Sequence, residues 1–220
     1  MVKLSQQPGY KNLCMMVFYL MPVGNIRQSL NPSLKIIEFL PGMTIGGLYA
    51  ARYGKSADES ISEFALLRAY ADYRERKGFL LEHFMGDKDG ASEECGKGQF
   101  SWSIHKNTIN LEVADAKGPV VGIRVHPLIK DVPFQANFPF LCMKGENVVF
   151  TQNHFISKLS ISSTAVHIPE GSPIKEAPLR LKLLSSFWET SNVIIKETEY
   201  VPKAIKTADN VFGNTMGGRA

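Results

Sequence analysis

The apolar residues of this chain fall in many short runs separated by clusters of Gly, Pro, Asn, Asp, Ser and Lys, the pattern of a protein built from strands. The first run, residues 13–23, carries no charge. Its Val17, Phe18 and Tyr19 favour a strand, because β-branched and aromatic side chains fit a pleated, half-buried surface. It is also far too short to span a membrane. Residues 23–30, stopped by Asn31 and Pro32, read as a short helix. Three strands follow over 47–53, 62–73 and 78–87, with residues 74–77 as the hairpin tip between the second and third. The segment from Asp87 to Gly98 is glycine-rich and almost devoid of large apolar side chains, so it reads as a loop. Short strands then resume over 100–104, 108–113, 119–125, 138–143, 147–150 and 155–161, and the last two are expected over 178–184 and 190–201. Many short strands at spacings of about ten residues signal an all-β sandwich or barrel, and closure would remove exposed edges.

Composition narrows the class. A chain of 220 residues with 44% hydrophobic content can bury one sizeable core, so the expectation is one domain over 1–205 and a glycine-rich tail over 206–220. The 25 basic and 21 acidic residues are scattered along the chain, which argues against a nucleic-acid partner, since such partners call for concentrated basic surface. Cys14, Cys95 and Cys142 form no CxxC pair and no zinc-like spacing with histidine, which fits a reducing, cytoplasmic setting. No P-loop, dinucleotide fingerprint, internal repeat or heptad is present. No cofactor, metal or membrane partner is therefore expected.

Several side chains could carry chemistry. Glu63 opens an otherwise apolar strand in SISEFALL. A carboxyl buried there would have a raised pKa and could pass protons near neutrality, whereas at the strand rim it would simply be solvated. Strict alternation puts His83, in FLLEHFMGD, on one face with Phe79, Leu81 and Met85, and Glu82 on the other. Arg52 and Arg68 lie within strands and could hold a substrate carboxylate through paired donors. Tyr49, Phe100 and Trp102 complete the expected substrate contacts, while Trp188 and the phenylalanines supply apolar lining or core. Cys95 has no histidine near it in sequence to act as a base. His105, His126, His154 and His167 fall on separate strands, and nothing in their spacing asks for a metal.

The stretch GGLYAARYGKSADESISEFALLRAYADYRERKGFLLEHFMGDKDG resembles the acetoacetate decarboxylase superfamily. There a GLYxAxYG-type strand precedes one opening with a glutamate, and an EHxxxD-like strand follows. The first strand, the helix and Asn31-Pro32-Ser33-Leu34 keep the same order. The resemblance implies a mainly β fold, an acetoacetate decarboxylase-like closed or partly closed β-barrel with one or two short helices, an enclosed small-molecule pocket and a homo-oligomer. It places Glu63 on the family's pocket glutamate. The family's imine-forming lysine follows a proline in a GRE…PK segment, and here that segment is missing. Lys97, between two glycines, is the remaining candidate. The resemblance thus implies a small-molecule tailoring enzyme of secondary metabolism acting on a carbonyl-bearing, apolar metabolite. Glu63 and His83 would do lysine-independent acid/base work as a lyase or cyclase. Decarboxylation through Lys97, or a barrel that binds an apolar ligand without reacting it, are the alternatives.

Overall fold

The computed structural model describes residues 12–28, 30–54, 60–87, 96–144 and 147–201, with the backbone alone described at 84, 144, 156–157 and 188–201. The elements are β1 (Asn12–Pro22), α1 (Val23–Arg27), β2 (Lys35–Ile36), β3 (Met43–Tyr53), β4 (Ile61–Tyr73), β5 (Arg76–Gly86), β6 (Gly96–Lys97), β7 (Gln99–His105), β8 (Thr108–Asp115), β9 (Gly118–Lys144), β10 (Asn147–His167) and β11 (Leu181–Val201). All belong to one sheet in the order β6-β5-β4-β3-β1-β11-β10-β9-β8-β7, with β2 beside β4. A second, parallel pairing of β5 with β9, through Phe79 and Phe140, joins the two arms of that path. It closes β1, β3, β4, β5, β9, β10 and β11 into a ring of seven strands. The expected mainly β barrel is this ring.

Strands β1, β3 and β4 are apolar on both faces along most of their length, because both faces are covered, whereas β9 and β10 alternate exposed and buried positions. In β1, Leu13 and Met15 face outward while Cys14 and Met16 face the ring interior. The outward residues pack with Leu48, Phe64 and Leu66 beneath a flap made of β8 and the first part of β9, which contributes Leu111, Val121 and Ile123. The inward set is Tyr49, Ala51, Ala65, Leu67, Phe79, Phe140 and Phe155. Gly47 allows β1 and β3 to approach so closely. Its φ is +153°, and a Cβ there would collide with the Val17 carbonyl.

Several expected boundaries move. The helix ends at Arg27 rather than reaching residue 30. The hairpin tip is the pair Arg74 and Glu75, both at positive φ, with the Asp72 carboxylate accepting from the Glu75 N–H. What read as six strands after residue 118 is three long ones. The polar breaks inside them are β-bulges: Asp131 sits at φ 59°, and the β9–β10 register shifts around Ile161. A polar residue at a bulge bends a strand without ending it, so turn chemistry alone overcounts strands here. Within the expected 87–98 loop, Gly96 and Lys97 form a short strand along β5. Cys95 and the 206–220 tail lie outside the described residues, as does the Trp188 side chain.

Candidate active site

Tyr49, Ala51 and Tyr53 alternate down the inner face of β3, and the β3–β4 register sets Ala51 beside Glu63. A period of two places the two phenols on either side of the carboxyl group. Tyr49 Oη donates to Glu63 Oε1, and Tyr53 Oη donates to Oε2 at 3.0 Å. Both carboxylate oxygens are thus taken by hydroxyl donors, an arrangement that suits the ionised acid. Cys14 is the neighbour of Ala51 on β1, also facing inward.

Burial pushes the Glu63 pKa above the usual carboxylate range, and the charge of Asp87 adds to the rise. The two phenol donors pull the other way without cancelling it. Burial, reinforced by the Glu63 charge, lifts the phenol of Tyr49 well above its ordinary value. The Cys14 thiol is lifted for the same reasons, so it is a protonated, unreactive neighbour. Glu63 lies deep within the protein yet keeps some accessible surface, as do Tyr53, Phe18 and Leu81 in the same interior. A deeply placed group has accessible surface only where it borders a space that water could enter. Glu63 therefore borders accessible space.

Of the residues singled out from sequence, Glu63 and Tyr49 meet in this interior. Arg52, Phe100 and Trp102 lie on the opposite side of the ring wall. Arg52 alternates with Tyr49 and Tyr53 on β3, and its guanidinium sits over the Trp102 ring at 5.7 Å. Phe100 and Trp102 pack against the outer core. Arg68 occupies a bulge of β4 and binds Glu82 at 2.9 Å, with Glu82 in register with outward-facing Leu66.

The strict alternation expected around His83 fails. The β4–β5 register shifts between Phe64 and Leu66, His83 takes φ 48°, and its side chain is exposed. Beyond that bulge Met85 packs in the outer core, while Phe79 and Leu81 stay inside. Lys97 is exposed, but Gly86 is the register neighbour of both Glu63 and Lys97. Glu63, Gly86 and Lys97 form one row across three strands, so Lys97 stands at the rim on the Glu63 side. Tyr53 and Asp87 were missed as site residues, although the spacing of Tyr49 and Tyr53 puts them on one face and Asp87 closes the EHxxxD-like segment.

No family profile and no curated protein matches the sequence. Solved structures do. Acetoacetate decarboxylase from Legionella pneumophila superposes with a TM-score of 0.65 at 11% identity, over 90% of this chain and 86% of that one. The chain has the acetoacetate decarboxylase fold. The enduracididine biosynthesis enzyme MppR gives a TM-score of 0.60 at 13% identity, covering 87% of this chain and 86% of that one. An acetoacetate decarboxylase-like enzyme from Sphingomonas wittichii gives 0.51 at 10% identity, over 85% and 91%. On an acetoacetate decarboxylase fold shared at such low identity, chemistry has to be read from the side chains themselves. Among the described residues, no group of three or more His, Cys, Asp or Glu could hold a metal ion, and no helix is long and apolar enough to cross a membrane.

Proposed function

We propose that this protein is an enzyme using Glu63 as an acid/base catalyst on a carbonyl-bearing, largely apolar metabolite bound inside the ring. The observation that carries this reading is the inward carboxyl group of Glu63, held by Tyr49 and Tyr53 beside accessible space, on the face whose cluster includes Phe79, Phe140 and Phe155. A carboxylate made more basic by burial can take a proton from the carbon next to a carbonyl, and the proton then resides on Glu63. Electrons from the broken C–H bond move onto the carbonyl oxygen as an enolate. Return of the proton elsewhere, loss of a β-hydroxyl as water, or attack of the enolate on a second carbonyl would give enolisation, dehydration or cyclisation. Exposed His83 has no part in this scheme. Exchange of α-protons of an alkyl methyl ketone in heavy water, followed by NMR, tests it. Glu63→Gln should lose about 10²–10⁴-fold in rate with the fold intact; an unchanged rate would end the proposal.

The row Glu63–Gly86–Lys97 favours one second reading. Lys97 would attack a β-keto acid as a neutral amine, and the resulting iminium would accept the electron pair freed with carbon dioxide. Borohydride added with acetoacetate should then leave a mass increase on the Lys97 peptide. The same peptide unmodified after full reaction would remove this reading.

A further inference from the structure

We infer that a closed layer of side chains across the ring, centred on Tyr49 and Phe140, is the floor of the site and fixes its specificity. The substrate then enters from the Lys97 end and carries only a short arm, methyl or ethyl, on the inner side of its carbonyl. The inference rests on Glu63 as the reacting group. Every strand of the ring supplies the layer. Met16 of β1, Tyr49 of β3, Leu67 of β4, Phe79 of β5, Phe140 of β9 and Phe155 of β10 face inward in one cluster, each 9% exposed or less. Ser186 of β11, the register partner of Met16, is buried as well. One contact crosses the layer directly. The ring centroids of Tyr49 and Phe140 are 5.5 Å apart, although β3 and β9 are separated by β4 and β5 on one side and by β1, β11 and β10 on the other.

Inward residues that keep accessible surface fall on either side of this layer. Tyr53, Glu63 and Leu81 lie toward the strand ends where Gly86 pairs with Lys97. Phe18, Ile45, Tyr70 and Phe138 lie in the opposite direction along their strands, beyond Met16, Tyr49, Leu67 and Phe140. The interior is thus divided, and the space that Glu63 borders is blind. Glu63 stands on the divide itself, because the Tyr49 hydroxyl donates to its Oε1. A carbon that gives its proton to Glu63 must come within about 3 Å of the carboxylate, and so lies against the floor too. An arm directed inward from the carbonyl then meets the Tyr49–Phe140 pair, whereas an arm directed toward exposed Lys97 does not. Close-packed aromatic side chains yield poorly to added volume, and one surplus methylene in an apolar pocket is worth about 10- to 200-fold in specificity.

Methyl heptyl ketone and dibutyl ketone test the inference. They are isomers of equal apolar content that differ in the shorter arm, a methyl group against a butyl group. Exchange of their α-protons in heavy water, each rate divided by that in acetate buffer without protein, should favour methyl heptyl ketone by at least about tenfold. Phe140→Leu lowers the floor and should reduce that ratio several-fold, and Phe140→Ala should reduce it further. Circular dichroism checks that each variant folds, and the milder one decides alone if the other does not. A defect of folding would slow both isomers alike and leave the ratio where it was. Equal rates for the two isomers in the parent, or a ratio unmoved in a folded Phe140 variant, would overturn the inference. Should neither ketone exchange, the proposed reaction falls and calorimetric binding of the same pair decides the floor: a preference of about tenfold or more for methyl heptyl ketone sustains it, and equal affinities remove it. Glu63-dependent exchange without preference between the isomers would remove the floor and leave the reaction standing.

Discussion

The two faces of one ring wall differ in kind. On β4, Phe64 and Leu66 point outward into a core closed by β8 and β9, where each is fully buried in an apolar cluster. Glu63, on the same strand, points inward to two phenols, a second carboxylate and accessible space. Consecutive residues on one strand therefore serve opposite ends. The outer face supplies cohesion through close packing, and the inner face tolerates an acid whose burial opposes its ionisation. Stability and chemistry are separated by one peptide unit and can be attacked separately.

The largest expected effect on stability belongs to the outer face. Phe64→Ala removes a fully buried ring from the seam between ring and flap and should cost about 3–5 kcal/mol in denaturant unfolding. Activity per folded molecule should fall far less than in Glu63→Gln. If Phe64→Ala instead abolished turnover while remaining folded, the two faces would not be functionally distinct.

An opposite signature is expected for Glu63→Gln. Its folded-state pKa lies above that of the unfolded chain, so the folded state holds the proton more tightly. The stabilisation from the neutral acid is complete below the unfolded value and is lost as pH rises through the folded one. Glutamine has no such loss. The variant should match the parent in acid and become relatively more stable as pH rises through the window between the two values. Chemical denaturation at a series of pH values measures this, and a difference of constant size across pH would show that Glu63 ionises as freely folded as unfolded.

The same division explains what could be read from the sequence. Strand-rich architecture is legible because the hydrophobic runs are short and regularly punctuated, and Glu63 is legible as an acid heading an apolar strand. Tyr49, expected to contact substrate, donates to Glu63 Oε1, a pairing that residue identity alone does not give. Arg52, Phe100 and Trp102 were assigned to the substrate side because a residue type does not tell which of two apolar faces it occupies. Where both faces are buried, the period-two pattern loses its contrast. His83 failed for a different reason: one extra residue in β5 opposite Ala65 inverts the alternation, and its φ of 48° is not written in residue identity. Fusion of predicted strand pairs into β9, β10 and β11 has the same origin, since bulges absorb polar residues that otherwise look like turns.

The smallest expected effect sharpens the inner face itself. Tyr53→Phe keeps the ring and removes only the hydroxyl that donates to Glu63 Oε2 at 3.0 Å. A donor to a carboxylate favours the ionised form, so its loss leaves burial and the Asp87 charge less opposed and moves the Glu63 pKa further up. Stability should change by only about 1 kcal/mol, the net worth of one hydrogen bond. The rate of α-proton exchange needs ionised Glu63 and therefore rises with pH through that pKa. In Tyr53→Phe the rising limb of the pH–rate profile should sit at higher pH than in the parent, with the plateau rate little changed. A lowered plateau with an unmoved limb would mean that Tyr53 touches the substrate rather than tuning the acid; an unmoved limb and plateau together would mean that the Tyr53 hydroxyl does not bear on the proton affinity of Glu63.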